Sequence, residues 1–194
     1  MNEFYIWFST GFTHILDWQG YDHILYIIAL CALYSYAEWK KLLTLVTAFT
    51  IGHSLTLAAS VNHLISINQL YIEIIIPLTI MITCAINIVK LKYETPYLYN
   101  INYLFALLFG FVHGMGFSYL LKSMLGKEQS VMFPLLSFNI GLEIGQLLIV
   151  GLMILISAFL FIFTRIKKIT FVYIISSIIF CFTTVLFLQR LNLY

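Results

Sequence analysis

The chain has 194 residues, of which 62% are hydrophobic and 9% charged, with a mean hydropathy of +0.99 and a formal net charge of +2. Soluble domains carry roughly 25% charged residues, so a water-facing globule is excluded and the bilayer must be the solvent. The 10 basic residues are scattered through the chain, which argues against a nucleic-acid partner and leaves them as topology signals.

In chain order, residues 1–20 come first. They lack the basic start and small-residue cleavage site of a signal peptide and carry Glu3 and Asp17, so they read as mature sequence. Too polar to span, they predict an interfacial or re-entrant helix ending near Gly20, with Trp7, Trp18 and Tyr21 at interfacial depth. Six apolar segments follow, at about 22–38, 41–61, 70–91, 101–121, 132–162 and 169–189, each near the ~20 residues needed to cross a hydrocarbon core. None alternates as a strand does. Backbone groups in lipid must bond internally, so the expected fold is all-α: one integral membrane domain, a polytopic helical bundle.

Placing the N-terminus outside puts Lys40, Lys41, Lys90, Lys92, Arg165, Lys167 and Lys168 on the inner side, with Lys122, Lys127 and Arg190 outside. Cys31, Cys84 and Cys181 are odd in number, far apart and within predicted spans, so they read as small buried hydrophobes.

Polar residues inside these spans locate the chemistry, because a charge at membrane depth costs at least ~2–3 kcal/mol and survives by facing an interior, a cavity or an ion. Glu143 has Asn139 four residues before it and Gln146 three after, all on one helical face. His53 and His113 each fall roughly 18 Å along a helix rising from the inner side. Glu143 falls roughly 16 Å below the outer surface. His14, Asp22 and His23 sit at the outer end of the first span. Imidazole and carboxylate together suit a divalent transition metal, with nickel, cobalt and zinc as the candidates. The candidate ligands are His14, Asp22, His23, His53, His113 and Glu143. Thr50 and Ser54 are expected to orient His53, with Asn139 and Gln146 as further supporting groups. Gly110, Gly114 and Gly116 would let backbones approach around His113.

Each residue also has a plainer explanation. A lone buried histidine can be a packing residue, Asp22 can cap a helix, Asn139 and Gln146 can bond between helices, and Gly141 and Gly145 can be a packing pair. His63 reads as ordinary loop surface. Coincidence of depth is what favours a shared site.

Four stretches carry a resemblance to a known family: GFTHILDWQGYDHIL at 11–25, TAFTIGHSLTL at 47–57, FGFVHGMGFS at 109–118 and FNIGLEIGQL at 138–147. Together they resemble the HupE/UreJ family of small polytopic membrane proteins. The first reads His-Ile-Leu where some relatives have His-Pro. The resemblance implies a nickel or cobalt permease, or an accessory protein of hydrogenase or urease, in a bacterial inner membrane, with metal handling assigned to the six candidate ligands.

Two mechanisms stand side by side. As a permease, the protein takes a hydrated cation from outside onto imidazole and carboxylate and releases it inward, with protonation weakening the hold. As an intramembrane hydrolase or acyltransferase, it uses the metal to activate water against an outer-leaflet substrate, with Glu143 as general base. A third role is that of a metal-binding accessory subunit with a protein partner or a second copy of the chain. Lipid and the metal ion are expected partners in all three. Below the proposed layer only Thr44, Thr47, Thr83, Asn87 and Ser157 offer polarity toward the inner side.

Overall fold

The structure, a computed structural model, describes residues 2–18, 20–65, 67–93, 97–125 and 131–192. Lys127 of the expected outer set lies outside the described residues. Seven α-helices follow in order: α1 (Glu3–Ile15), α2 (Asp22–Ala32), α3 (Trp39–Val61), α4 (Gln69–Tyr93), α5 (Tyr97–Leu125), α6 (Met132–Phe163) and α7 (Lys168–Asn192). A single 3₁₀ turn, Tyr36–Glu38, leads into α3, and no strand occurs among the described residues. Four segments, Tyr36–Val61, Gln69–Val89, Met132–Phe163 and Lys168–Leu191, are long and apolar enough to cross a membrane.

The stretch expected as one span over 22–38 is broken. α2 has 11 residues and is roughly 16 Å long, about half the ~30 Å hydrocarbon thickness. Its continuation is stopped by a capping box: Ser35 N–H donates to Glu38 Oε2 at 3.1 Å and the Ser35 hydroxyl does so at 3.2 Å, which starts the next helix. Glu38 also accepts from Lys41 at 2.9 Å and from Lys168 at 3.1 Å, tying the start of α3 to the start of α7.

α1, expected as an interfacial or re-entrant helix, packs lengthwise on α6. Cβ atoms added at Gly11 and Gly141 would run into the Phe138 and Phe8 carbonyls, so the two backbones touch. Contacts climb together in number, from Phe8 against Gly141 to Ile15 against Gly145, so the helices are parallel. α3 and α5 form a second parallel pair, with Gly52 on the Leu107 carbonyl and Gly110 on that of Phe49. α4 and α7 are antiparallel, since Asn87 meets Ser176 while the Glu73 carbonyl meets Arg190.

α2 is the shortest α-helix and among the most enclosed, burying eight of its 11 residues. It runs from the histidines toward the Glu38 end, held on the way by Asn87 Nδ2 donating to the Ala29 carbonyl at 2.7 Å. α1 and α2 therefore run in one sense as two half-helices, one ending just after His14 and the other starting just before His23.

Candidate metal centre

Backbone proximity sets the site. Gly52 and His53 are neighbours on α3, and on α5 Gly110 lies one turn before His113 and Gly114 directly after it. A Cβ at Gly114 would strike the His53 carbonyl. The residues that let the helices touch therefore bring the two imidazoles to one level. Gly116, expected to help, instead faces the side chains of Ile76 and Ile72. His14 comes from the last turn of α1 and His23 from the first turn of α2. Ring centroids are 4.7 Å apart for His14 and His23, 6.0 Å for His14 and His53, 6.1 Å for His23 and His53, and 4.8 Å for His23 and His113. Four histidines drawn from four helices thus form one cluster.

One ring nitrogen from each of His14, His23 and His53 lies within 4.8 Å of the other two. Nitrogens ~2.0–2.1 Å from a tetrahedral ion stand roughly 3.4 Å apart, so closure asks for little more than rotamer adjustment. The surroundings are apolar and aromatic. His14 lies against Phe117 at 3.9 Å between centroids, and His53 stacks on Phe138 at 6.2 Å.

His14 Nε2, His23 Nε2, both nitrogens of His53 and His113 Nε2 are buried without a hydrogen-bond partner. Leaving one buried polar atom unpaired costs ~1–3 kcal/mol, so several together, all of one ligand type, fit a cation. His113 Nδ1 is 2.9 Å from the Phe109 carbonyl oxygen. A carbonyl only accepts, so Nδ1 carries the proton and Nε2 keeps its lone pair, as in a metal-binding imidazole.

Asp22 is the first residue of α2, whose N-cap is Tyr21, and its carboxylate turns away from the helix start. Its Oδ2 accepts from Arg190 Nη2 at 2.9 Å, while its Oδ1 is buried without a partner. Asp22, His14, His23, His113 and Arg190 line one cavity of about 210 Å³. A second, open cavity of about 600 Å³ borders His14 and Phe117 on the other side, lined also by Thr10, Thr13 and Trp18.

The remaining sequence candidates are placed differently. Glu143 is half-buried and absent from the close histidine group; its Oε1 accepts from Thr47 Oγ1 at 2.9 Å. Thr50 and Ser54 do not orient His53: Thr50 donates to Gln146 Oε1 at 2.8 Å and Ser54 to the Thr50 carbonyl at 2.6 Å. Both hydroxyls turn along α3 or across to α6 because helical Ser and Thr reach the preceding turn most easily. Gln146 is buried with Nε2 unpaired, and Asn139 Oδ1 is also unpaired. Gly141 and Gly145 are packing positions against α1. His63 is exposed beyond α3, at φ 59°.

Sequence reasoning assigned Arg190 to topology alone, yet it reaches the cavity. Pro77 held the missed signal. A proline cannot donate to the carbonyl four residues earlier, which is that of Glu73, and such a carbonyl in an apolar helix needs another donor.

The sequence model of the HupE / UreJ protein family matches residues 1–190. No curated protein and no solved structure matches the chain.

Proposed function

The chain belongs to the HupE / UreJ family, and we propose that it is a permease whose cargo is a divalent transition metal of the nickel or cobalt type. His14, His23 and His53 take the ion, with His113 and Asp22 alongside. The observation that carries this reading is the set of unpaired imidazole nitrogens, buried together in a protein of multi-pass membrane character.

Several features support passage as well as binding. The two half-helices α1 and α2 together amount to one crossing, and α3 to α7 supply five more. Six crossings leave both termini on the outer face of an inner membrane, in accord with the distribution of basic residues. His53 lies roughly 21 Å along α3 from Trp39 and roughly 12 Å short of Val61, nearer the outer end. The open cavity beside His14 gives entry from that side. Toward the Glu38 end, the Thr50–Gln146 and Thr47–Glu143 pairs supply oxygen ligands along the facing sides of α3 and α6. A broken helix at the binding level suits alternating access, since its halves can move separately.

Proteoliposomes holding a metal-sensitive dye test this reading. Nickel or cobalt should enter faster than into empty vesicles, and His53→Ala should abolish the difference. Binding without flux would instead favour the hydrolase reading, in which the ion polarises a carbonyl. The apolar cavity of about 600 Å³ at His14, large enough for an acyl chain, is the observation behind that second reading. Glu143, expected as its general base, has one carboxylate oxygen engaged by Thr47.

A further inference from the structure

Arg190 lies in the last turn of α7 with its side chain 24% exposed, and its two terminal nitrogens serve two other helices. Nη1 donates to the Glu73 carbonyl at 2.6 Å and Nη2 to Asp22 Oδ2 at 2.9 Å. The first contact answers a defect in α4. Residue 77 is a proline, so the Glu73 carbonyl has no helical N–H to accept. The second contact holds a carboxylate by one oxygen only, leaving Oδ1 buried, unpaired, and on a residue lining the same cavity as His14, His23 and His113.

We propose that Arg190 is a positioning residue. It bridges the proline-freed carbonyl of α4 and the carboxylate of α2, and so presents Asp22 Oδ1 to the cation held by the histidines. The planar, forked guanidinium is needed because two acceptors on different helices must be met at once, which one ammonium does poorly. It also offsets the negative charge of Asp22 in a low-dielectric setting, so that a carboxylate can wait there before any cation arrives. α7, which contributes no ligand of its own, thereby sets the geometry of the site. This role rests on the metal reading above.

The test uses the full-length protein in detergent with Co²⁺ alone as probe, reading affinity and the visible ligand-field absorption that reports coordination geometry. Arg190→Gln should weaken Co²⁺ binding by about 10–100-fold, the usual effect of losing a group that orients a ligand, and should alter the absorption bands. Arg190→Lys should recover part of the affinity. In a Pro77→Ala background, which returns an N–H to the Glu73 carbonyl, Arg190→Lys should recover more, because the ammonium then has only Asp22 to serve. Should Arg190→Gln fail to fold, the Lys variant in the two backgrounds decides alone. Unchanged affinity and bands in Arg190→Gln, or an Arg190→Lys deficit unaffected by Pro77→Ala, would overturn the positioning role. Wild-type protein that takes up no Co²⁺ would overturn the metal reading first, and this one with it.

Discussion

His113 Nδ1 stands 2.9 Å from the carbonyl oxygen of Phe109, one turn back on the same helix. That contact fixes the proton on Nδ1 and aims a bare Nε2 into a cluster where three other histidines also have unpaired nitrogens. An isolated packing histidine would be expected to satisfy both nitrogens.

Purified protein should bind about one transition-metal ion per chain, as the three-histidine group has room for one. Elemental analysis of His53→Ala should find essentially none. His113→Ala, removing a residue beside the group, should lower affinity by at least about 10-fold. Metal at about 100 times Kd should stabilise the wild-type fold by about 2.7 kcal/mol, and a chelator should reverse this in thermal unfolding. An unchanged metal content in His53→Ala would refute the assignment.

Glu143 should separate binding from passage. Glu143→Gln keeps the size of the side chain and its acceptor for Thr47 but removes the charge. Equilibrium metal affinity should stay within about threefold of wild type, which is under 1 kcal/mol. Flux into proteoliposomes should drop by at least about 10-fold. Loss of binding in this variant would return Glu143 to the ligand set.

Gly110 and Gly151 should answer differently to the same change. A Cβ at Gly110 meets the Phe49 carbonyl, a backbone atom that cannot step aside, whereas Gly151 has nothing within 4 Å. Gly110→Ala should destabilise by about 1–3 kcal/mol and weaken metal binding, because α3 and α5 must part at His53. Gly151→Ala should be neutral or stabilising by up to about 1 kcal/mol. Melting temperatures in detergent compare the two.

His63 makes a different kind of test. It holds φ at 59°, with its N–H on the Ser60 carbonyl at 3.0 Å and the next N–H on that of Ala59 at 2.9 Å, a Schellman ending to α3. Only glycine enters that conformation without a steric penalty. His63→Gly should therefore raise stability by up to about 1 kcal/mol with metal content unchanged. A loss of metal would place this fifth histidine in the site.

Asn87 should show what a buried interhelical bond contributes. Its amide donates to the Ala29 carbonyl at 2.7 Å and to Ser176 at 3.3 Å, joining α4, α2 and α7. Asn87→Leu should cost about 0.6–1.7 kcal/mol in unfolding measurements.

Composition and apolar run length determined that the chain is a helical membrane protein, because lipid leaves the backbone few ways to satisfy itself. Most helix positions were legible for the same reason, and so was the gathering of His14, His23, His53 and His113, since rise per residue gives each side chain a depth. The pairing of helices was not legible, because glycines that let backbones touch do not say which helix they touch. Tertiary structure split the first span at Ser35, laid α1 along α6, turned Thr50 toward Gln146, engaged Glu143 with Thr47, and brought Arg190 from the far end of the chain to Asp22. Depth is one coordinate, written in sequence order; azimuth around the bundle is the other, and only packing between helices decides it.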